Sequence, residues 1–582
     1  MNSSNANLES IRHSLAHILA SAVQKKFPGV KLGIGPAIQD GFYYDFKFKN
    51  NPGPEILAEL ESEMRAIIKQ NLLFSGTKIT PQKARNLFKG QPFKLELIKD
   101  FTKDKKQLTS YATGTIFMDL CRGGHVKNTG MINPDAFKLS HLAGAYWRGD
   151  EKKPQLLRIY GFAFETKEDL DKHLALLEEA KRRDHKKLGK DLDLFTFSDL
   201  VGAGLPLWTP KGTVVRDMLD SFVWELRKSR GYDRVDIPHI TKKDLYETSG
   251  HWDKFKEELF HITTREGHLL VLKPMNCPHH TQIYARKQWS YRELPQRYAS
   301  TTKVYRDEQT GELAGLARVR AITQDDAHVF CRKNQIGEEM GRVADIINEF
   351  YRVFGFSLSV RLSFHDPKEK SKYLGTPKLW KEAEAELRKL IAEKGYEATE
   401  AKGEAAFYGP KIDFIAKDSL GREWQVATIQ LDMIQPERFN LTCIGEDGKP
   451  EGIFMIHAAI MGSLERFISV LIEHTAGAFP VWLAPTQVRI LPIGEKFSEY
   501  AKSVEQKFMS ADIRTEMSEN DSLGKRIRES EMQKIPYTII VGEKEQTAGT
   551  ISVRRYGKGD EGIIQLEQFL ERIQNEVKTK SA

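Results

Sequence analysis

The chain has 582 residues, of which 40% are hydrophobic, and its formal net charge is +8. This length and composition indicate a globular protein of about three or four domains, and the modest positive charge is compatible with RNA binding without arguing for it. No apolar run approaches the roughly 18 residues of a membrane helix, no secretory signal is visible in MNSSNANLES, and the cysteines are too few and dispersed for a disulfide framework. We therefore expect a cytoplasmic protein with no membrane association.

The first predicted domain covers residues 1–165 and is of the α+β type. Apolar residues near its start recur at helical spacing, and strand-like runs such as GFYYDFKF follow. His13 and His17 lie one turn apart on the same helix face, and Cys121 and His125 have the same spacing in DLCRGGH. Such pairs beside an apolar stripe are more often incidental than functional, so they need support from other motifs.

A linker is predicted over residues 166–192. Residues 167–190 have a charged helical pattern that ends in KRRDHKKLGK. This basic run is compatible with a solvated helix face and equally with an RNA-facing surface, and both interpretations stay open.

Two further domains are predicted over residues 193–484 and 485–582. The first begins with an amphipathic helix around residues 214–226 and a strand, YDRVDIP, that ends in proline. In the second, the strands VRILPI, IRTEMS, YTIIVG and TISVRR alternate with helices, which predicts an α/β domain with a mainly parallel sheet. The helices are expected near residues 496–509, 522–533 and 563–577.

The stretch KVYRDEQTGELAGLARVRAITQDDAHVFC, residues 303–331, predicts a β-hairpin. Two β-rich runs are separated by a glycine-bearing turn, and Arg306 and Glu308 lie on the first run. In GSLERF, Ser463 is placed to cap a helix that carries Arg466 in its first turn.

The hairpin resembles motif 2 of the class II aminoacyl-tRNA synthetases, GSLERF resembles motif 3, and the helix, strand and proline resemble motif 1. TQDDAH, with NCPHH, AFYGPKIDF and EWQVATIQLD, is similar to the threonyl-tRNA synthetase family in particular. The resemblance implies an antiparallel-sheet class II catalytic core, an N-terminal α+β editing domain and a C-terminal α/β anticodon-binding domain. Competing nucleotide motifs, namely a GxxxxGK[ST] loop, a dinucleotide fingerprint, HIGH and KMSKS, are absent from the sequence.

This family resemblance implies ATP-dependent activation of threonine to threonyl-adenylate, followed by transfer to the 3′ end of tRNA-Thr, in a homodimer. One rival is a related class II synthetase for serine or proline. Another is a synthetase-derived RNA-binding or regulatory protein without catalysis. The zinc motifs described below argue against the first rival, and the intact motif arginines argue against the second.

Adenylate formation concentrates negative charge on the α-phosphate, so fixed cations are needed around it. Arginine meets this need because it stays charged and its fork fits phosphate oxygens. The resemblance assigns Arg306 and Arg466 to this task and Glu308 to the ATP side, with Mg²⁺ arriving on the nucleotide. Taken singly, each arginine is more often a surface ion-pair partner.

The same resemblance implies one zinc ion per subunit, bound by Cys277, His328 and His457. Zinc that coordinates the amine and hydroxyl of threonine would reject valine, which an apolar pocket separates by only about a hundredfold. His279 and Ala458 depart from the family pattern, which has glycine and arginine there. The implied threonine and ATP pocket consists of Gln324, Asp326, Tyr408, Lys411, Gln425 and Gln430.

Serine retains both zinc-binding groups, so a hydrolytic second sieve for seryl-tRNA-Thr is expected. HSLAHILA and FMDLCRGGH resemble the editing domain of threonyl- and alanyl-tRNA synthetases, although Gly124 replaces the usual proline. Zinc binding is possible at this site, but metal-free hydrolysis is favoured. A ubiquitin-like domain that often precedes the editing domain is expected to be missing. The implied editing residues are His13, His17, Lys94, Asp119, Cys121 and His125.

In the C-terminal domain, the resemblance assigns contacts with anticodon bases to Asn520, Glu545 and Arg554. Side chains of these types suit hydrogen bonding to the edges of splayed bases. As isolated residues they would be solvated surface groups.

Overall fold

The computed structural model describes residues 3–581. Contacts between Cα atoms divide the chain into two compact units, which meet in sequence between Glu178 and Glu179. Among the helices of residues 3–581, none combines the length and apolar character needed to span a bilayer.

The first unit is an α+β domain with two antiparallel sheets. The helix Ser3–Lys26 buries Leu15, Ile18 and Leu19 against Phe42 on the strand Gly41–Lys47, as its apolar spacing predicts. The five-stranded sheet contains Lys31–Leu32, Ala37–Ile38, Gly41–Lys47, Gln155–Ala163 and Phe137–Tyr146, and the three-stranded sheet contains Phe74–Ile79, Leu108–Thr113 and Phe117–Leu120. The further helices of this unit are Ile56–Lys69, Pro81–Leu87 and Pro92–Lys103.

The predicted linker helix is broken. Two helices, Lys167–Arg183 and His185–Asp191, replace the continuous helix expected over residues 167–190. The cause is Asp184, whose Oδ1 accepts a 2.7 Å hydrogen bond from the Lys186 backbone N–H and so caps the second helix.

An eight-stranded sheet forms the core of the second unit. All its pairings are antiparallel except the first and the last, and the predicted hairpin is present. In order across the sheet the strands are Asp233–Arg234, Gln296–Tyr305, Ala321–Cys331, Phe454–Ala459, Glu423–Asp432, Lys411–Lys417, Ser357–Phe364 and Ala398–Lys402. The larger helices are Pro210–Lys228, Ile336–Arg352, Pro377–Lys394 and Leu464–His474, and the shorter ones are Asp244–Ser249, His251–Phe255, Cys277–Tyr284 and Gln435–Arg438.

Small sheets flank this core. They consist of Ile240–Lys242, Leu269–Leu272 and His261–Thr263; of Trp289–Ser290, Thr442–Ile444 and Pro450–Gly452; and of Phe195–Thr196 with Leu207–Trp208. The amphipathic helix predicted around residues 214–226 is confirmed. The strand predicted for YDRVDIP is only two residues long, because it pairs with the sheet edge through Asp233 and Arg234 alone. Arg306 and Glu308 follow the end of the strand Gln296–Tyr305 and lie in the turn of the hairpin, not on its strand.

The C-terminal part of the second unit is an α/β fold, but its sheet is mixed and not mainly parallel. Two of the four strand pairings are parallel and two are antiparallel. The last strand, Gly559–Gln565, was not predicted, and it delays the start of the final helix to Leu566. The strands run in the order Thr515–Met517, Val488–Pro492, Tyr537–Val541, Thr550–Arg555 and Gly559–Gln565, and the helices are Ser498–Ser510, Leu523–Met532, Glu543–Ala548 and Leu566–Thr579.

Candidate active site and a second histidine–cysteine cluster

The second unit contains a cavity of about 750 Å³ beside its large sheet. Alternate residues of the strand Ala321–Cys331 point into it, because successive side chains of a strand face opposite sides. Every residue predicted for catalysis or for the threonine and ATP pocket contributes to the lining, together with two of the three predicted zinc ligands. These residues are Arg306, Glu308, Arg466, Gln324, Asp326, Tyr408, Lys411, Gln425, Gln430, Cys277 and His457.

The acidic pair of TQDDAH is divided between two roles. Asp325 points away from the cavity, lies 2.5 Å from Arg227 and accepts hydrogen bonds from the backbone N–H groups of Ile460 and Met461. Asp326 points into the cavity and accepts a 3.1 Å hydrogen bond from Asn276, and burial raises the pKa of its carboxyl to about 6. Asp325 is therefore a structural residue, and Asp326 is available to a ligand.

Two guanidinium groups face this cavity without a carboxylate partner among residues 3–581. The backbone N–H of Arg306 donates to the Arg320 carbonyl, which closes the hairpin turn. Arg466 lies in the first turn of Leu464–His474, where Ser463 Oγ accepts a 3.2 Å hydrogen bond from the Arg466 N–H, as predicted. Among residues 3–581 the Arg466 guanidinium has no hydrogen bond or ion pair, and it lies 5.7 Å from the centre of the Trp424 ring. Both cations are thus free to meet an anion.

Other pocket side chains are held in place by hydrogen bonds. Lys411 Nζ lies 2.9 Å from Asp413 Oδ2, and Gln425 Nε2 donates to Asp413 Oδ1 over 2.8 Å. Gln430 donates to the Gly409 carbonyl. Asp413 is fully buried and orients two predicted residues at once, yet its sequence context contained no signal for this role.

Cys277, His328 and His457 come together, with their donor atoms all within 4.8 Å of one another. Strand register explains this, because His328 and His457 are directly opposed on neighbouring antiparallel strands. His328 Nε2 lies 3.0 Å from His457 Nδ1. The other ring nitrogen of each histidine also has a partner, Asp432 Oδ2 at 2.9 Å for His457 and His280 Nδ1 at 2.8 Å for His328. One sulfur and two imidazole nitrogens, each imidazole oriented from behind, form a donor set that fits zinc and opens toward the cavity.

Two departures from the family pattern border this site. His279 is buried, and neither of its ring nitrogens has a hydrogen-bond partner among the described residues, so burial lowers its pKa to about 4. Ala458 is buried in the sheet, and its carbonyl accepts a 3.1 Å hydrogen bond from Arg227. Neither residue displaces a ligand atom from the group of three.

A second cluster lies in the first unit, where the donor atoms of His13, His17, Cys121 and His125 are again within 4.8 Å of one another. Cys121 Sγ lies 3.4 Å from His13 Nε2 and 3.3 Å from His125 Nε2. Burial raises the pKa of Cys121 to about 11 and lowers that of His125 to about 2. Gly124 has φ +89°, a conformation closed to proline, so the usual family residue would not fit this loop as it stands.

Asp119 joins this cluster to buried polar residues. It forms an ion pair with Lys94, lies 3.9 Å from His17 Nε2 and accepts a 2.6 Å hydrogen bond from the Tyr44 hydroxyl. Lys94, Asp119 and Tyr44 are all buried. Sequence reasoning missed Tyr44, because a tyrosine in GFYYDFKF has the pattern of an ordinary strand residue.

The predicted anticodon residues lie on separate elements of the C-terminal fold. Asn520 is in the segment before Leu523–Met532, and Arg554 is on the strand Thr550–Arg555. Glu545 is buried and accepts a 3.0 Å hydrogen bond from the Gly542 N–H, which caps the helix Glu543–Ala548. At least one oxygen of Glu545 therefore has a structural role.

Comparisons with known proteins agree with this arrangement. Residues 258–475 match the tRNA synthetase class II core domain (G, H, P, S and T), residues 487–576 an anticodon binding domain, and residues 108–160 the threonyl and alanyl tRNA synthetase second additional domain. A threonine–tRNA ligase of Gloeobacter violaceus is 49% identical over 97% of this chain and 92% of its own length, and one of Flavobacterium johnsoniae is 46% identical over 97% and 88%. The RNA binding domain of threonyl-tRNA synthetase from Cryptosporidium parvum Iowa II superimposes with a TM-score of 0.65 at 37% identity, over 67% of this chain and 98% of that one.

Proposed function

Because the chain belongs to the threonine–tRNA ligase family of class II aminoacyl-tRNA synthetases, we propose that the cavity of its second unit is the activation site and that the predicted residues act there. The reaction joins threonine to tRNA with ATP, and Mg²⁺ accompanies the nucleotide. The full-length similarity to threonine–tRNA ligases outweighs both rivals, the serine or proline synthetase and the non-catalytic RNA-binding protein.

In the first step a carboxylate oxygen of threonine attacks the α-phosphorus of ATP. A new P–O bond forms, the bond to pyrophosphate breaks, and negative charge builds on the phosphate oxygens. Arg306 and Arg466 are suited to stabilise this charge because their guanidinium groups are already in place at the cavity. The observation that supports the proposal best is that neither cation is neutralised by a carboxylate within residues 3–581.

Selection of threonine is assigned to the three-donor group. One zinc per subunit would be held by Cys277, His328 and His457. When bound, this zinc would coordinate the amine and hydroxyl of the substrate. Asp432 and His280 keep the two imidazoles in orientation, and Asp326 faces the same space for the substrate amine or hydroxyl. Gln324, Tyr408, Lys411, Gln425 and Gln430 complete the threonine and ATP pocket.

Correction of errors is assigned to the cluster in the first unit, part of which matches the second additional domain. A water and the tRNA 3′ end would be oriented for hydrolysis of seryl-tRNA-Thr by His13, His17, Cys121 and His125. The methyl group of threonine would be excluded sterically from this pocket. We favour hydrolysis without a metal. Burial is the main cause that lowers the pKa of His17, and the neighbouring His13 and the ammonium of Lys94 add to the effect.

The remaining assignments follow the family pattern. Residues 1–165 would edit, 166–192 link, 193–484 activate threonine and 485–582 bind the anticodon through Asn520, Glu545 and Arg554. The chain would be a cytoplasmic homodimer that pairs through the helix Pro210–Lys228. Sedimentation of the purified protein tests whether it is a dimer.

The decisive experiment is ATP–pyrophosphate exchange by the purified protein with a panel of amino acids. Exchange should require threonine, proceed weakly with serine and fail with proline and valine. Exchange driven by proline, or by none of these amino acids, would contradict the proposal.

A further inference from the structure

His185, at the start of His185–Asp191, contacts two parts of the activation site that lie far apart in sequence. It is buried, and its Nδ1 lies 2.6 Å from Glu473 Oε1, while its Nε2 lies 3.1 Å from the backbone N–H of Leu316. Because a backbone N–H can only donate, Nε2 must be the acceptor, and the ring proton is then on Nδ1 and directed at Glu473. The linker segment thus supplies one imidazole with two defined bonds.

The first bond reaches the hairpin loop, residues 306–320. Leu316 is fully buried, and Gly315 before it has φ +57° and approaches His185 so closely that a Cβ at this position would overlap Nε2. Residues that follow Leu316 line the cavity, among them Arg318, whose guanidinium lies 2.7 Å from Glu308 Oε2. The position of the loop at His185 therefore helps to set where Glu308 lies.

The second bond reaches the helix Leu464–His474. Glu473 lies in its last turn, and Arg466 lies in its first. Glu473 Oε2 is 2.6 Å from Arg422, and Arg422 and Arg466 both contact the ring of Trp424, at 5.3 Å and 5.7 Å from its centre. A continuous chain of contacts therefore joins His185 to the arginine of motif 3.

We propose that His185 is a positioning residue for threonyl-adenylate formation. It holds the hairpin loop and the motif 3 helix in a fixed relative position, so that Glu308 and Arg466 face one ATP molecule. This inference rests on the proposed function of the cavity. His185 itself does not touch the substrate. Its effect should appear in the use of ATP and not in the binding of threonine.

Two conservative variants separate the two bonds. His185→Asn retains a donor at the δ position for Glu473 but lacks the acceptor for Leu316, whereas His185→Gln restores an acceptor at the ε position. In threonine-dependent pyrophosphate exchange, His185→Asn should raise the KM for ATP by about fivefold, the size of one lost hydrogen bond, and leave the KM for threonine unchanged. His185→Gln should recover most of the loss. Lys187→Ala, an exposed position of the same helix, is the matched control and should behave as wild type.

The outcomes are distinguishable. An unchanged KM for ATP in both His185 variants would overturn the inference, as would a loss shared equally by ATP and threonine that follows the melting temperature. If His185→Asn does not fold, Gly315→Ala perturbs the same contact from the loop and must raise the KM for ATP; a normal KM would again overturn the role. Failure of the wild-type protein itself to exchange with threonine would refute the proposed function instead.

Discussion

Removal of the Arg466 side chain tests the charge argument for the activation site. A guanidinium beside a phosphate brings opposite unit charges to about 5 Å, which at an effective dielectric constant of about 20 corresponds to about 3 kcal/mol. Arg466 is exposed at the cavity wall and has no carboxylate partner within the described chain, so little of its charge is neutralised beforehand. Arg466→Ala should therefore slow adenylate formation by about 10²-fold, the loss typical for one preorganised electrostatic contact.

The assay is threonine-dependent pyrophosphate exchange at saturating ATP. Arg466→Lys should fall between wild type and Arg466→Ala, because an ammonium retains the charge but not the two-pronged hydrogen bonding. Arg388→Ala is the matched control, since this exposed guanidinium pairs with Glu400 outside the cavity lining, and its loss should leave exchange unchanged. Stability should change little in Arg466→Ala, because only a stacking contact is removed. Exchange within a few-fold of wild type in that variant would refute the reasoning.

Three further predictions follow from other contacts. Cys277→Ala should abolish both zinc binding, measured by atomic absorption, and threonine activation. Cys331→Ala alters a buried thiol outside the donor group and should retain both. Full activity of a zinc-free preparation would contradict the site. His13→Ala combined with His17→Ala should activate threonine normally but accumulate seryl-tRNA-Thr, and deacylation by the wild-type protein should persist with a chelator; a double variant that clears seryl-tRNA-Thr as fast as wild type would show that these histidines are structural. Asp325→Ala should destabilise the fold by about 3–5 kcal/mol in urea titrations, because it leaves a buried cation unpaired; a loss below about 1 kcal/mol would mean that the buried pair contributes little.

Local signals in the sequence determined several features correctly. The apolar spacing predicted a helix around residues 214–226, where the structure has the helix Pro210–Lys228, and Ser463 was identified as a cap with Arg466 in the following turn. The β-rich runs on either side of a glycine-bearing turn predicted the hairpin. These features depend on residues within a few positions of one another, so a single stretch of sequence contains the information. The zinc and editing residues came from family resemblance, since their spacing alone predicts nothing.

The tertiary structure decided what depends on distant pairing. His328 and His457 meet because two strands adopt one register across 129 positions of chain, and a shift of one residue would turn one imidazole to the opposite face. Tyr44 reaches Asp119, and His185 reaches Glu473, across separations that no local pattern encodes. Propensity and spacing act over one or two turns, whereas these contacts arise from sheet order and packing. The sequence, together with its family resemblance, therefore identified most of the chemical groups, and only the fold brought them within bonding distance.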